Sequence, residues 1–178
     1  MKKIVIMVML AMAMVMVASC GQRANKNQAA SADTEAVTAE DGAEMAPEFE
    51  LPDLQGNKLK LSSLRGKYVI LDFWGSWCVW CIRGIPNMKA YYAKYKDKLE
   101  ILGVDCNDTE ERWRAAVNEH QIPWLHVRCD EKAMRGVGEK YRISGFPTKV
   151  IIDPEGKVVK TVVGEDPAFY TFLDELLK

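Results

Sequence analysis

Two cysteines three residues apart, in LDFWGSWCVWCIRGIP (71–86), end a run that reads as a buried strand and open one that reads as a helix. No other feature of the chain limits the fold so tightly. YVILDFWG (68–75) is an unbroken β-branched and aromatic stretch, the pattern of a strand covered on both faces of a sheet. From Trp77 to about Tyr95 the apolar spacing becomes helical, with Pro86 as an expected kink in the first half. Cys78 and Cys81 thus lie at a strand-to-helix junction, where residues i and i+3 share a face and their sulfurs can bond.

That junction also predicts reactivity. Cys78 would face unpaired N–H groups and the positive end of the helix dipole, both of which favour thiolate. A thiol of pKa about 8.5 is about 3% ionised at pH 7 and one lowered to about 7 is half ionised, roughly a fifteen-fold gain in nucleophile. Cys81, one turn inward and less accessible, suits the resolution of a mixed disulfide. Its proton needs an acceptor, and Asp72 is the candidate: a carboxylate inside an otherwise apolar strand should have a raised pKa and serve as general acid and base. The bland alternative is a surface-facing Asp72, or one paired with a lysine such as Lys67.

The pattern on either side supplies an α/β frame. FELPDLQGNKLKLSSL (49–64) alternates apolar and polar residues around a turn at Gln55–Asn57, predicting a hairpin. LEILGVDC (99–106), TEERWRAAVNEH (109–120, capped by Asp108 or Thr109) and WLHVRC (124–129) read as strand, helix, strand, which implies a right-handed crossover and a mainly parallel core. A weaker helix at 131–141, a hairpin of TKVIID and KVVKTVVG about DPEG, and an amphipathic helix from Pro167 to Leu177 complete it.

The first nineteen residues carry Lys2 and Lys3, an apolar run from Ile4 to Ala18 and small residues before Cys20, as a secretory signal does. VASC (17–20) resembles a bacterial lipobox, which would make Cys20 a lipidation site; the alternative is an ordinary secreted protein. Six of the nine methionines fall in this segment, so they argue nothing about copper. Without it the chain has 22 basic and 25 acidic side chains and no basic cluster, which excludes nucleic acid as a partner. Residues 20–46 are poor in sizeable apolar groups and read as a disordered tether, and 47–178 as one domain. Export would place the remaining four cysteines where disulfides persist.

DFWGSWCVWC together with GFPT (145–148) resembles the thioredoxin superfamily. The leading hairpin, the extra helix and strand at 109–129 and the lipobox resemble its membrane-anchored TlpA/ResA-type branch, with an AhpC/TSA-redoxin-type domain. The resemblance covers 47–178 and implies a three-layer fold, a mixed sheet between helices, with the hairpin and an inserted helix–strand. It implies that Pro147 is a cis-proline facing the dithiol, that Phe146 offers its backbone to an extended substrate peptide, and that Trp77 and Thr148 belong to the substrate-binding rim. Two departures stand out: Val79-Trp80 lies between the cysteines where a proline-containing pair is common, and Gly84 stands where many TlpA-like chains carry an acid.

Cys106 and Cys129 close two strands joined by one helix, which places them side by side. A structural disulfide is expected; two buried thiols or a second exchangeable pair are the alternatives. Rival readings of the whole are a Cys₄ zinc site from Cys78, Cys81, Cys106 and Cys129, a copper carrier, for which His120 and His126 are badly placed, and a peroxiredoxin-like peroxidase, which CxxC does not suit. The expectation is a monomeric thiol-disulfide oxidoreductase, lipid-anchored in the bacterial cell envelope and facing the periplasm, with no metal or cofactor beyond the Cys78–Cys81 pair. By the same resemblance it reduces protein disulfides, for example at haem-attachment cysteines in cytochrome c maturation, and is recharged by a membrane electron donor.

Overall fold

The structure is a computed structural model and describes residues 44–178; the expected signal, Cys20 and nearly all of the expected tether lie outside the described residues. A five-stranded mixed sheet of order β5-β4-β3-β6-β7 forms its centre: β3 (Tyr68–Trp74), β4 (Leu99–Cys106), β5 (Leu125–Cys129), β6 (Thr148–Ile152) and β7 (Val158–Val163). β3, β4 and β5 run parallel, and β6 and β7 antiparallel to their neighbours. The small hairpin β1 (Glu50–Pro52) and β2 (Lys58–Lys60) forms a separate two-stranded sheet, joined to β5 by a bridge between Asp53 and Val127. Its second arm ends early: Leu61–Leu64 turn into a 3₁₀ helix, with Ser63 Oγ donating to the Lys60 carbonyl at 2.6 Å.

Four helices among the described residues cover the sheet: α1 (Val79–Tyr95), α2 (Glu110–Glu119), α3 (Glu131–Lys140) and α4 (Pro167–Leu176). α1, α2 and α4 pack with Ile70, Trp74, Leu99, Ile101 and Ile151 on one face. The hairpin, the 3₁₀ turn and α3 pack with Val69, Leu71, Phe73, Val104 and Ile152 on the other. This period of two along β3 is what an all-apolar strand needs when both faces are covered. None of these helices is long and apolar enough to cross a membrane.

α1 begins at Val79 rather than Trp77 because Cys78 keeps an extended backbone and acts as the N-cap, and the helix runs on through Pro86. α2 takes Thr109 as its cap, its hydroxyl accepting from Arg112 N–H at 3.3 Å. The fold begins slightly before residue 47: Ala46 N–H donates to Gly156 O at 2.9 Å and Glu44 O accepts from Val158 N–H at 2.9 Å. Glu44–Ala46 extend the β7 side of the sheet, a main-chain role that side-chain composition does not reveal.

Candidate active site

The junction of β3 and α1 carries a disulfide between Cys78 and Cys81, with Cα atoms 5.2 Å apart. Cys78 Sγ accepts from Cys81 N–H at 3.2 Å, so the first cysteine receives the helix-end donor that its N-cap position promises. Accessibility does not rank the two sulfurs as expected, since the residues are 6% and 5% exposed. Their position relative to the helix end does.

Three neighbours hold the loop before Cys78. Ser76 N–H donates to Asp108 Oδ2 at 2.8 Å, and Trp77 Nε1 donates to the Cys106 carbonyl at 3.0 Å. Gly75 has no room for a side chain, because a Cβ there would overlap the Trp77 indole. The Trp77 ring, 5.1 Å from that of Phe146, meets it edge to face. Phe146–Pro147 is a cis peptide, as the family resemblance implies. Trp77, Val79 and Trp80 remain 42%, 61% and 60% exposed, an apolar rim around a buried disulfide.

Thr148 does not reach that rim. It is buried, and its hydroxyl donates to the Gly145 carbonyl at 2.7 Å, so it shapes the cis-proline loop rather than meeting a substrate.

Asp72 lies on the helix-covered face with Ile70 and Trp74, and it is buried. Burial holds its carboxyl above the ordinary range; the Lys149 ammonium opposes this and the Glu165 carboxylate adds to it. Lys149, not Lys67, is its cationic neighbour: Lys149 Nζ is 4.0 Å from Asp72 Oδ1, and Lys67 donates to the Lys96 carbonyl. Lys149 is itself buried and sits 2.5 Å from Glu165 Oε1. Neither Lys149 nor Glu165 is among the residues that the sequence pattern singles out. A lysine inside the apolar strand TKVIID is the signal that was there to read.

Cys106 and Cys129 stand in register on β4 and β5, as expected, but as two buried free thiols. The expected disulfide is thereby corrected. Side chains of directly opposite residues on parallel strands point the same way, so their Cβ atoms stay about one strand spacing apart, about 4.8 Å, whereas a disulfide needs about 3.8 Å. Hydrogen bonding with Cys129, then burial, keeps the Cys106 thiol well above the ordinary thiol range. These two sulfurs pack in the core of the α3 face and Cys78 and Cys81 in that of the α1 face, so the structure does not assemble the four as one metal site.

The sequence model of the AhpC/TSA family matches residues 43–161. The chain belongs to the AhpC/TSA family. It is 39% identical over 121 residues to the thiol-disulfide oxidoreductase ResA of Bacillus anthracis, covering 67% of this chain and 68% of that one. It is 36% identical over 120 residues to ResA of Bacillus subtilis strain 168, covering 67% and 65%. Among solved structures, the thioredoxin domain of a thiol-disulfide oxidoreductase from Bacteroides vulgatus superposes with a TM-score of 0.71 at 33% identity, over 79% of this chain and all (100%) of that one. A putative thiol:disulfide interchange protein DsbE from Chlorobium tepidum gives a TM-score of 0.67 at 30% identity, over 77% and 95%. The fold is thioredoxin-like, and the chain is a thiol-disulfide oxidoreductase of the TlpA/ResA-like kind.

Proposed function

We propose that this family member is an extracytoplasmic reductant of protein disulfides, anchored through Cys20 to the bacterial cell envelope and facing the periplasm. The observation that carries the chemical part is the Cys78–Cys81 disulfide at the N-cap of α1, ringed by exposed Trp77, Val79 and Trp80, with buried Asp72 on the same sheet face. The Cys78 thiolate attacks a substrate sulfur, forming a mixed disulfide and expelling the first substrate thiolate. Asp72 takes the proton of Cys81. The Cys81 thiolate then attacks Cys78 Sγ, the Cys78–substrate bond breaks, and the second substrate thiolate leaves with the electron pair and takes up a proton. The pair itself stores the two electrons, so the cycle calls for no metal or further cofactor.

Trp77 and Phe146 form the platform for the substrate. The main chain of Phe146 makes no hydrogen bond among the described residues and is free to pair with an extended peptide. The partners proposed are cysteine-containing proteins, haem-attachment cysteines of c-type cytochromes among them, and a membrane-bound thiol-disulfide relay that returns electrons to the pair. Similarity to the thiol-disulfide oxidoreductase ResA and to a putative thiol:disulfide interchange protein DsbE supports thiol-disulfide exchange as the chemistry.

The test is the reduction potential of the purified chain in glutathione or dithiothreitol buffers, with alkylation read at each cysteine by mass spectrometry. A potential near or below about −250 mV, confined to Cys78 and Cys81, supports a dedicated reductant. One near about −120 to −180 mV makes it an oxidant or isomerase instead.

A further inference from the structure

Three charged groups from three separate segments meet under α1. Asp72 comes from β3, Lys149 stands opposite it in register on β6, and Glu165 comes from the turn between β7 and α4. Lys149, 2% exposed, has little water to satisfy its ammonium and gives its contact to Glu165 Oε1. The other Glu165 oxygen accepts from the Tyr170 hydroxyl of α4 at 3.3 Å. β4 places Gly103 beside Asp72, and the buried residues of α1 are Cys81, Gly84, Ile85 and Met88. Lys149 and Glu165 are therefore the charges that face Asp72, Tyr170 and Cys106 are the other titratable groups that feel its carboxylate, and Cys81 joins them from α1 on the reading of Asp72 as its proton acceptor.

Glu165 reaches this position only because residue 84 is glycine. A Cβ on Gly84 would overlap the Glu165 carboxylate. On its outer side Glu165 borders an open groove lined by Asn87, Tyr91, Pro167 and Thr171, so the carboxylate sits between solvent and the buried ammonium. An acid from the β7–α4 turn thus lies over residue 84, where α1 carries no side chain.

We propose that Glu165 is a positioning residue of the proton-handling site: seated over Gly84, it holds and neutralises the Lys149 ammonium, and so sets how firmly Asp72 keeps a proton when Cys81 reacts. The inference rests on the reading of Asp72 as the proton acceptor for Cys81. With Glu165 ionised, the pair is close to neutral as seen from Asp72, and burial dominates. Without it, an ammonium 4.0 Å away acts unopposed and Asp72 ionises more readily, becoming the weaker base. Without Lys149, a second carboxylate faces Asp72 uncompensated and Asp72 holds its proton to higher pH. The two halves of the ion pair thus push in opposite directions, which a merely structural pair would not do.

The experiment follows a single turnover of the reduced full chain with a synthetic disulfide peptide across the pH range, separating formation of the Cys78 mixed disulfide from its resolution by Cys81. Glu165→Gln should move the pH midpoint of resolution down by about one unit, and Lys149→Gln should move it up by a similar amount. The double variant should return close to the starting midpoint. Gly84→Ala, which displaces the carboxylate, should behave like Glu165→Gln. Gly84→Glu in the Glu165→Gln background should restore the profile by supplying the acid from α1. Midpoints that stay fixed, or that move the same way in both single variants, would overturn the proposal, as would a failure of the Gly84→Glu rescue in a chain whose melting curve shows it folded. Asp72→Asn keeps the two readings distinguishable: if it leaves resolution and its pH midpoint unchanged, the Asp72 assignment itself falls.

Discussion

Replacing Asp105 by asparagine should stabilise the fold increasingly as the pH rises. Asp105 is fully buried on β4, between Trp74 of β3 and Arg128 of β5, and neither carboxylate oxygen has a hydrogen-bond partner. Burial above all, and then the charge of Asp108, push its carboxyl up to about 8 against the pull of Arg128. An acid whose pKa is raised by folding keeps its proton in the folded chain where the unfolded chain has lost it. Its contribution to stability is then fully present below about pH 4 and disappears by about pH 8, at about 1.4 kcal/mol per pH unit, or about 6 kcal/mol in all. That is a large share of the 5 to 15 kcal/mol, roughly, that holds a domain together. Asparagine imitates the protonated acid in shape and is neutral at every pH. The stability difference between Asp105→Asn and the parent chain, from urea unfolding of the oxidised protein followed by circular dichroism, should rise with that slope from about pH 4 to 8 and level off above. A difference that does not change with pH would refute the argument, because it would mean that Asp105 ionises in the folded state as freely as in the unfolded one.

Three further outcomes follow from the same structure. His126, buried with both ring nitrogens unpartnered and its pKa lowered to about 3 by burial, stays neutral in the fold. The parent chain should therefore lose stability as pH falls from about 6.5 towards 3, and acid unfolding of His126→Gln should lack that component. Replacing both Cys106 and Cys129 by alanine should cost about 1 to 3 kcal/mol in urea unfolding and leave disulfide-reductase activity unchanged, whereas lost activity would identify them as an exchanging second pair. Asp108→Ala removes the acceptor of Ser76 N–H; kcat/KM should fall several-fold while alkylation still finds a Cys78–Cys81 disulfide.

The order of strands and helices and the bonded Cys78–Cys81 pair were legible because each rests on local pattern: β3 on its apolar run, α2 on its cap, Cys78 on its place before a helix; the mixed sheet came with the family resemblance instead. What sequence periodicity does not carry is which distant side chains converge. Glu165 sits 81 positions after Gly84, and only the crossing of the β7–α4 turn over α1 brings them together. The resemblance marked Gly84 as a departure, but nothing local says that the Glu165 carboxylate lies over it. The Cys106–Cys129 pair failed for a different reason. Its register was correct, and the bond did not follow because strand spacing fixes Cβ separation more strictly than Cα proximity suggests. Asp105, inside LGVDC, is not among the residues that the sequence pattern singles out, since its burial depends on strands β3 and β5 on either side of it.

The two faces of the sheet carry different chemistry. Hairpin, 3₁₀ turn and α3 cover a face built from Val69, Leu71, Phe73, Leu102, Val104 and Val127, in which Cys106 and Cys129 behave as small apolar groups. The opposite face buries Asp72, Lys149, Asp105 and His126 beneath α1, α2 and α4, together with the Cys78–Cys81 disulfide. Low effective dielectric makes each of those groups sensitive to its neighbours, and the Cys78 and Cys81 sulfurs lie in the same medium. A substitution on the α3 face, such as Val104→Ala, should therefore lower stability by about 1 to 3 kcal/mol and leave the pH profile of disulfide exchange where it was. A charge-changing substitution of equal cost at Lys149 should displace that profile. If the two displaced it equally, the exchange chemistry would be following general loosening of the fold rather than the charges buried beside it.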